Sequence, residues 1–273
     1  MRSSISSLGA SVALGALLIA HPVFAQDRPE ADRPEQGFHP ILGVAGLYRP
    51  EFRGSDDYEF QPRPFVGFRY GLGGTTLSMQ GADFELDLVP NGRFEAGPVI
   101  GYRSGRDDDI SNEIVRLLPT IDGALEGGAF AKMNWEVGGG TIAAGVKFMA
   151  DLGDAHEGYS VGLDTSYSAP ITERLSYSVG ANIVWADDSY MQTYFGVDAA
   201  GAVASGLTPF QAEAGLESAG LSANLRYQLN ERWGMALFAS YDRLLGDAAD
   251  TPIVTEQGSE NQMQVGFAIF RAF

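Results

Sequence analysis

Catalysis by an exported chain needs a nucleophile held beside a base. Beyond residue 25 the imidazoles are His39 and His156. Neither stands near a Gly-x-Ser-x-Gly turn or in a His-x-Ser pair, the contexts that would activate a serine. Cysteine is absent from all 273 residues, which removes thiolate nucleophiles, disulfides and thiolate metal sites together. We assign no catalytic residue and no cofactor-binding residue, and expect a protein that is not an enzyme.

Carboxylates are the other reactive group, and they cluster. Asp56-Asp57, Asp107-Asp108-Asp109, Asp187-Asp188 and Asp247 with Asp250 could offer oxygen ligands to a hard divalent cation beside lipopolysaccharide. No EF-hand spacing accompanies them, so the plainer reading is a solvated loop surface, and no metal site is assigned. The chain carries 18 Lys+Arg against 35 Asp+Glu, a net charge of -17. Such an acidic chain is a poor partner for nucleic acid, whose phosphates need a basic surface.

The elements that place these residues follow from a period of two. From Leu175 to Trp185 the odd positions read Leu, Tyr, Val, Ala, Ile, Trp, while the even ones begin Ser, Ser, Gly, Asn. Residues 159 to 169, 221 to 229, 233 to 242 and 260 to 273 repeat the split. One face suits lipid and the other a wet interior, and the segments approach the ~9–11 residues that a tilted strand needs to cross a bilayer. A soluble sandwich also alternates, but its outer face would carry Lys and Glu where this one carries Gly, Ser and Asn. The expected fold is an all-β, antiparallel up-and-down transmembrane barrel in the cell outer membrane.

The N-terminus agrees. Arg2, an uncharged apolar stretch from Leu8 to Ala20 and small residues before Ala25 form a secretory signal over residues 1–25. That stretch falls short of the ~20 apolar residues of a membrane-spanning helix. Residues 26–37, charged and Pro-containing, read as a flexible periplasmic lead-in, and 38–273 as the barrel.

Strand number follows from parity. Short connections near 135–139, 169–173 and 230–231 alternate with long or acidic ones at 104–120, 151–157, 186–217 and 246–260. Short turns face the periplasm in such barrels and long loops face outside. Residues 75–89 are ambiguous between one strand and two. Apolar residues occupy odd positions at Thr75, Leu77 and Met79 but even ones at Phe84, Leu86 and Leu88, so a tight hairpin at Gly81 restores parity. The total is twelve strands, with ten if the short pair or the first strand lies outside the barrel. A Pro90-Asn91-Gly92 turn precedes the next strand.

The inward face then collects Arg63, Arg69, Arg103, Lys132, Lys147 and Arg226 with Glu126, Asp164, Asp242 and Glu260. Arg232, Asp83, Glu85, Asp87 and Glu95 join them. Two readings stand: a selectivity lining for a pore, or a plug of paired charges. The long connection at 187–216 is helix-prone over 197–205. It could fold into the lumen, or cap the mouth and present Tyr190, Tyr194 and Phe195 to a partner.

Certain segments carry a likeness. YRPEFRGSDDYEFQPRPFVGFRYG (48 to 71), GYRSGRDDD (101 to 109), WADDSYMQTYFGV (185 to 197) and the stretch from 243 to 270 resemble the MltA-interacting protein family, also called MipA/OmpV. The resemblance implies an outer-membrane protein regarded in its best-known member as a scaffold between a lytic transglycosylase and a murein synthase. Other members look like surface immunogens or adhesins, so a narrow solute channel and an adhesin remain alternatives. Terminal Phe273 closes an alternating strand in the manner that barrel-assembly machinery reads, and the remaining expected partners are outer-membrane lipid and lipopolysaccharide.

Overall fold

A computed structural model describes residues 37–89 and 92–273. The signal peptide, residues 26–36 of the lead-in and Pro90-Asn91 of the expected turn lie outside the described residues.

Alternation of the kind above can bury only one face, and a sheet of such strands avoids unpaired edges by closing on itself. The strands are β1 (Gly37–Pro50), β2 (Tyr58–Leu72), β3 (Thr75–Gln80), β4 (Asp83–Asp87), β5 (Phe94–Arg103) and β6 (Ala124–Val137). The set continues with β7 (Gly140–Asp151), β8 (Tyr159–Pro170), β9 (Leu175–Ala186), β10 (Gly215–Gln228), β11 (Trp233–Leu244) and β12 (Asn261–Ala272). Each pairs antiparallel with its sequence neighbours and β12 returns to β1, so the twelve strands make a closed barrel. Gly37, with φ of 118°, already belongs to β1, one residue earlier than expected.

The outward face is apolar. Val44, Phe60, Leu163, Ile183, Leu221, Leu237 and Phe267 are exposed, and Tyr48, Tyr58, Tyr159, Trp185 and Tyr241 mark its outer rim. Trp135, Tyr167, Tyr177, Tyr227 and Trp233 mark the periplasmic rim. Two aromatic girdles flanking an apolar band are what a bilayer demands of a barrel wall, and they place this one in the outer membrane. No helix among the described residues is long and apolar enough to cross a membrane.

The phase change at Gly81 is a hairpin. Gln80 pairs with Asp83 across Gly81 and Ala82, and Gly81 has φ of 65°, the left-handed region glycine enters without strain. Thr76, Ser78, Asp83, Glu85 and Asp87 thereby share the inward face.

Of the six outer connections, that turn is the low one. Four of the others fold together over the barrel mouth: residues 51–57, residues 104–123 with a 3-10 turn at Val115–Leu117, residues 187–214 and residues 245–260. Residues 152–158 join them through His156. The 187–214 segment carries α1 (Asp188–Phe195) and α2 (Ala199–Ser205), and the 245–260 segment carries α3 (Asp247–Asp250) and α4 (Pro252–Thr255).

Candidate functional site

The cap is built from residues that read as loop acid and loop aromatic. Asp187 caps α1, accepting from the Tyr190 amide at 3.1 Å and from the Tyr159 amide at 2.9 Å. Asp188 accepts from the Ala214 amide, and Asp247 from the Glu213 amide. Asp187, Asp188 and Asp247 therefore fasten backbone, and no group of three possible metal ligands occurs among the described residues.

Tyr190, Met191, Tyr194 and Phe195 turn inward and pack with Ala186, Leu244, Ala248 and Val254. Phe52, Val115, Leu118, Val197, Leu207 and Ile253 form a second apolar cluster beside it. The reading that offers Tyr190, Tyr194 and Phe195 to a partner is corrected: they are 3%, 8% and 0% exposed and form the centre of the cap. Thr251 closes the join by donating its hydroxyl to the Phe195 carbonyl at 2.6 Å.

Beneath the cap, buried charges tie it to the wall. Nε of Arg103 lies 2.8 Å from Oε1 of Glu126, and His156 Nε2 approaches the same oxygen at 3.1 Å. The Gly158 amide donates to His156 Nδ1, so the ring proton sits on Nε2 and is given to Glu126. Arg103 also donates to the Tyr190 hydroxyl at 3.1 Å and lies 5.0 Å from the centre of its ring. Arg53 reaches Glu217 at 2.7 Å and Ser218 at 2.7 Å. Glu217 and its neighbours hold the Arg53 guanidinium above its ordinary pKa even though burial opposes this. Burial lifts the Tyr190 and Tyr194 phenols above theirs.

The register turns nine of the ten expected lumen charges inward. Lys147 spans from β7 to Asp83 and Glu85 of β4, 2.8 Å to each. Lys132 meets Glu95 at 3.4 Å. Arg63 donates to Gln61 at 2.9 Å, and the guanidinium of Arg226 lies 4.6 Å from the Phe270 ring centre. Asp242 accepts from Asn182 at 3.4 Å, and Asp164 lies opposite Gly145. Arg69 lies opposite His39 on the inner face of β1 and β2. Glu260 departs from this set. It precedes β12, and its carboxylate pairs with Arg243 at the outer rim, 2.6 Å away. Phe273 ends the chain at the periplasmic rim, its amide bonded to the Pro40 carbonyl and its ring 4.4 Å from the Arg271 guanidinium.

Sequence reasoning missed Arg49, Arg53, Glu217 and the structural part of His156. Their partners lie between 10 and 165 residues away, beyond any local pattern. Asp187 and Asp198, each three residues ahead of the amide it accepts from, carried a local sign as helix caps.

The family model described as MltA-interacting protein MipA matches residues 42–273. Among solved structures, the chain is similar to an anion-selective porin from Comamonas acidovorans at 9% identity and a TM-score of 0.42, covering 87% of this chain and 99% of that one. It is similar to an outer membrane channel from Pseudomonas putida F1 at 13% identity and a TM-score of 0.44, covering 91% and 100%. The toluene transporter TbuX of Ralstonia pickettii follows at 12% identity and 0.38, covering 88% and 90%. These likenesses are of barrel form, and nothing further rests on them. The comparison with curated proteins finds no match.

Proposed function

Because the chain belongs to the MltA-interacting protein family, we propose that it is a non-enzymatic scaffold of the outer membrane that engages a lytic transglycosylase and a murein synthase from its periplasmic face. One contrast between the two ends of the barrel supports this reading. Outside, the mouth is covered by a folded cap with its own apolar core. On the periplasmic side the described turns are short, Ile171 and Leu229 stand exposed on them, and Phe273 helps to line a concave surface with Glu231, Arg232 and Arg271. Apolar anchors rimmed by charge suit a protein partner.

A narrow solute channel is the competing reading, and the same cap speaks against it. Lys147, Lys132 and Arg103 are held by carboxylates instead of lining an open path. Phe273, as the exposed end of the closing strand, is the proposed mark for barrel-assembly machinery.

The test is capture from detergent-solubilised membranes on the immobilised full barrel. Recovery of a murein hydrolase or synthase, lost when Ile171 and Leu229 are both changed to Asp, supports the scaffold. Recovery of neither enzyme sinks it.

A further inference from the structure

A charged residue stands on the face that meets lipid. Odd residues of β12 point outward, and Met263, Val265, Phe267 and Ile269 are exposed there. Arg271 continues this row at the periplasmic end. It lies opposite Trp233 of β11 and Leu42 of β1, both exposed, and side chains directly opposite one another share a face of the sheet. The guanidinium therefore belongs to the periplasmic aromatic girdle, at the level where lipid heads meet water.

Arg271 is short of partners. The Phe273 ring covers it at 4.4 Å, its Nε is buried with no hydrogen-bond partner, and it forms no ion pair with a carboxylate among the described residues. A buried donor without an acceptor is costly, and a guanidinium at a membrane boundary is normally turned toward polar company. The chain supplies neither counter-charge nor acceptor, so both come from outside it.

The place for a partner is preformed. A concavity of about 400 Å³ is lined by Glu231, Arg232, Arg271, Ala272 and Phe273. Backbone bonds fix its walls: Asn230 Oδ1 accepts from the Arg232 and Trp233 amides at 3.0 Å each, the Ala272 amide donates to the Arg232 carbonyl at 2.8 Å, and the Phe273 amide to the Pro40 carbonyl at 3.1 Å. Arg232, grouped by the sequence pattern with the inward charges, stands exposed on this turn. Neither it nor Glu231 forms an ion pair among the described residues. Two guanidinium groups and one carboxylate thus share a small site without neutralising one another.

We propose that this concavity binds the head of a phospholipid of the periplasmic leaflet that carries both a phosphate and a primary ammonium, as phosphoethanolamine does. Arg271 and Arg232 take the phosphate, whose oxygens suit guanidinium donors, and Glu231 takes the ammonium. Position selects a lipid over a soluble phosphate. Trp233 and Leu42 flank Arg271 on the lipid face, and Ile269 and Phe267 above it offer apolar wall to the acyl chains. The site does not rest on the periplasmic enzymes proposed above, and its test uses the barrel alone, so either reading can fail without the other.

Trp233 reports on the site directly. Trp135→Phe with Trp185→Phe leaves it as the sole tryptophan of the chain. The full barrel is refolded into phosphatidylcholine vesicles holding a small fraction of lipid with a nitroxide high on its acyl chain. Quenching by the phosphatidylethanolamine form of this probe should exceed that by the phosphatidylcholine and phosphatidylglycerol forms several-fold. Arg271→Ala should bring all three together, and Glu231→Gln should erase the advantage over phosphatidylglycerol. Equal quenching by the three heads overturns the site, as does a preference that survives Arg271→Ala. A phosphatidylglycerol probe that quenches as well as the phosphatidylethanolamine one overturns the role of Glu231. Relief by soluble phosphoethanolamine as readily as by unlabelled phosphatidylethanolamine overturns a lipid occupant. If Arg271→Ala fails to show the heat-dependent gel shift of a folded barrel, Arg232→Ala takes its place.

Discussion

His156, carried by an outer loop, donates its Nε2 proton to Oε1 of Glu126 on the barrel wall, 3.1 Å away, and both residues are only 3% exposed. Arg103 holds the same oxygen at 2.8 Å. One carboxylate thus joins wall, loop and, through Arg103 and Tyr190, the helix above the lumen. Glu126→Ala leaves the part-buried Arg103 guanidinium without its counter-charge and His156 without its acceptor, a loss of charge-assisted hydrogen bonding worth about 1.5–3 kcal/mol. The expected result is a cap cleaved within residues 187–214 by limited proteolysis under conditions where the parent chain is intact. Glu126→Gln, which keeps an acceptor for His156, should fall between them.

Alkaline pH should loosen the same region. Burial raises the Tyr190 and Tyr194 phenols above their ordinary value, so the folded cap keeps protons that the unfolded chain releases near pH 10. Stability from this source is complete below about pH 10 and declines as pH rises past it, because the unfolded state then binds fewer protons. Tyrosinate absorbance during an alkaline titration should therefore rise together with protease sensitivity of residues 187–214. Tyr194→Phe should weaken that coupling without lowering the melting temperature at neutral pH, since the Tyr194 hydroxyl is buried and finds no hydrogen-bond partner among the described residues.

Lys147 is the fastening of the short hairpin. Its ammonium is held by Asp83 just after the Gly81-Ala82 turn and by Glu85, 2.8 Å from each. Lys147→Ala removes charge-assisted hydrogen bonds worth about 1.5–3 kcal/mol and leaves two carboxylates facing each other. Amide exchange should quicken in β3 and β4 while β8 to β11 keep their protection. Uniform exchange across the barrel would count against a locally weak hairpin.

Much of the barrel was legible because strand periodicity depends only on neighbours. The Leu175 to Trp185 alternation became β9 with the expected face toward lipid, and the odd-to-even switch from Met79 to Phe84 became the hairpin. The cap was not legible. Tyr190, Met191, Tyr194 and Phe195 sit at helical spacing just ahead of the stretch read as helix-prone, where the signals were acidic and aromatic, and what they bury against comes largely from loops some 50 residues away, as with Phe195 and Thr251. Glu260 was assigned to the lumen by extending the β12 pattern one residue too far, into the rim where Arg243 claims it.

The central claim is that the outer end is closed by a folded cap, leaving the periplasmic rim as the working surface. Single-channel recording in planar bilayers tests it most directly, comparing the intact barrel with one in which residues 187–214 are replaced by a short turn. Silence from the intact barrel and steady conductance from the uncapped one are the expected results. Steady open conductance from the intact barrel would contradict it.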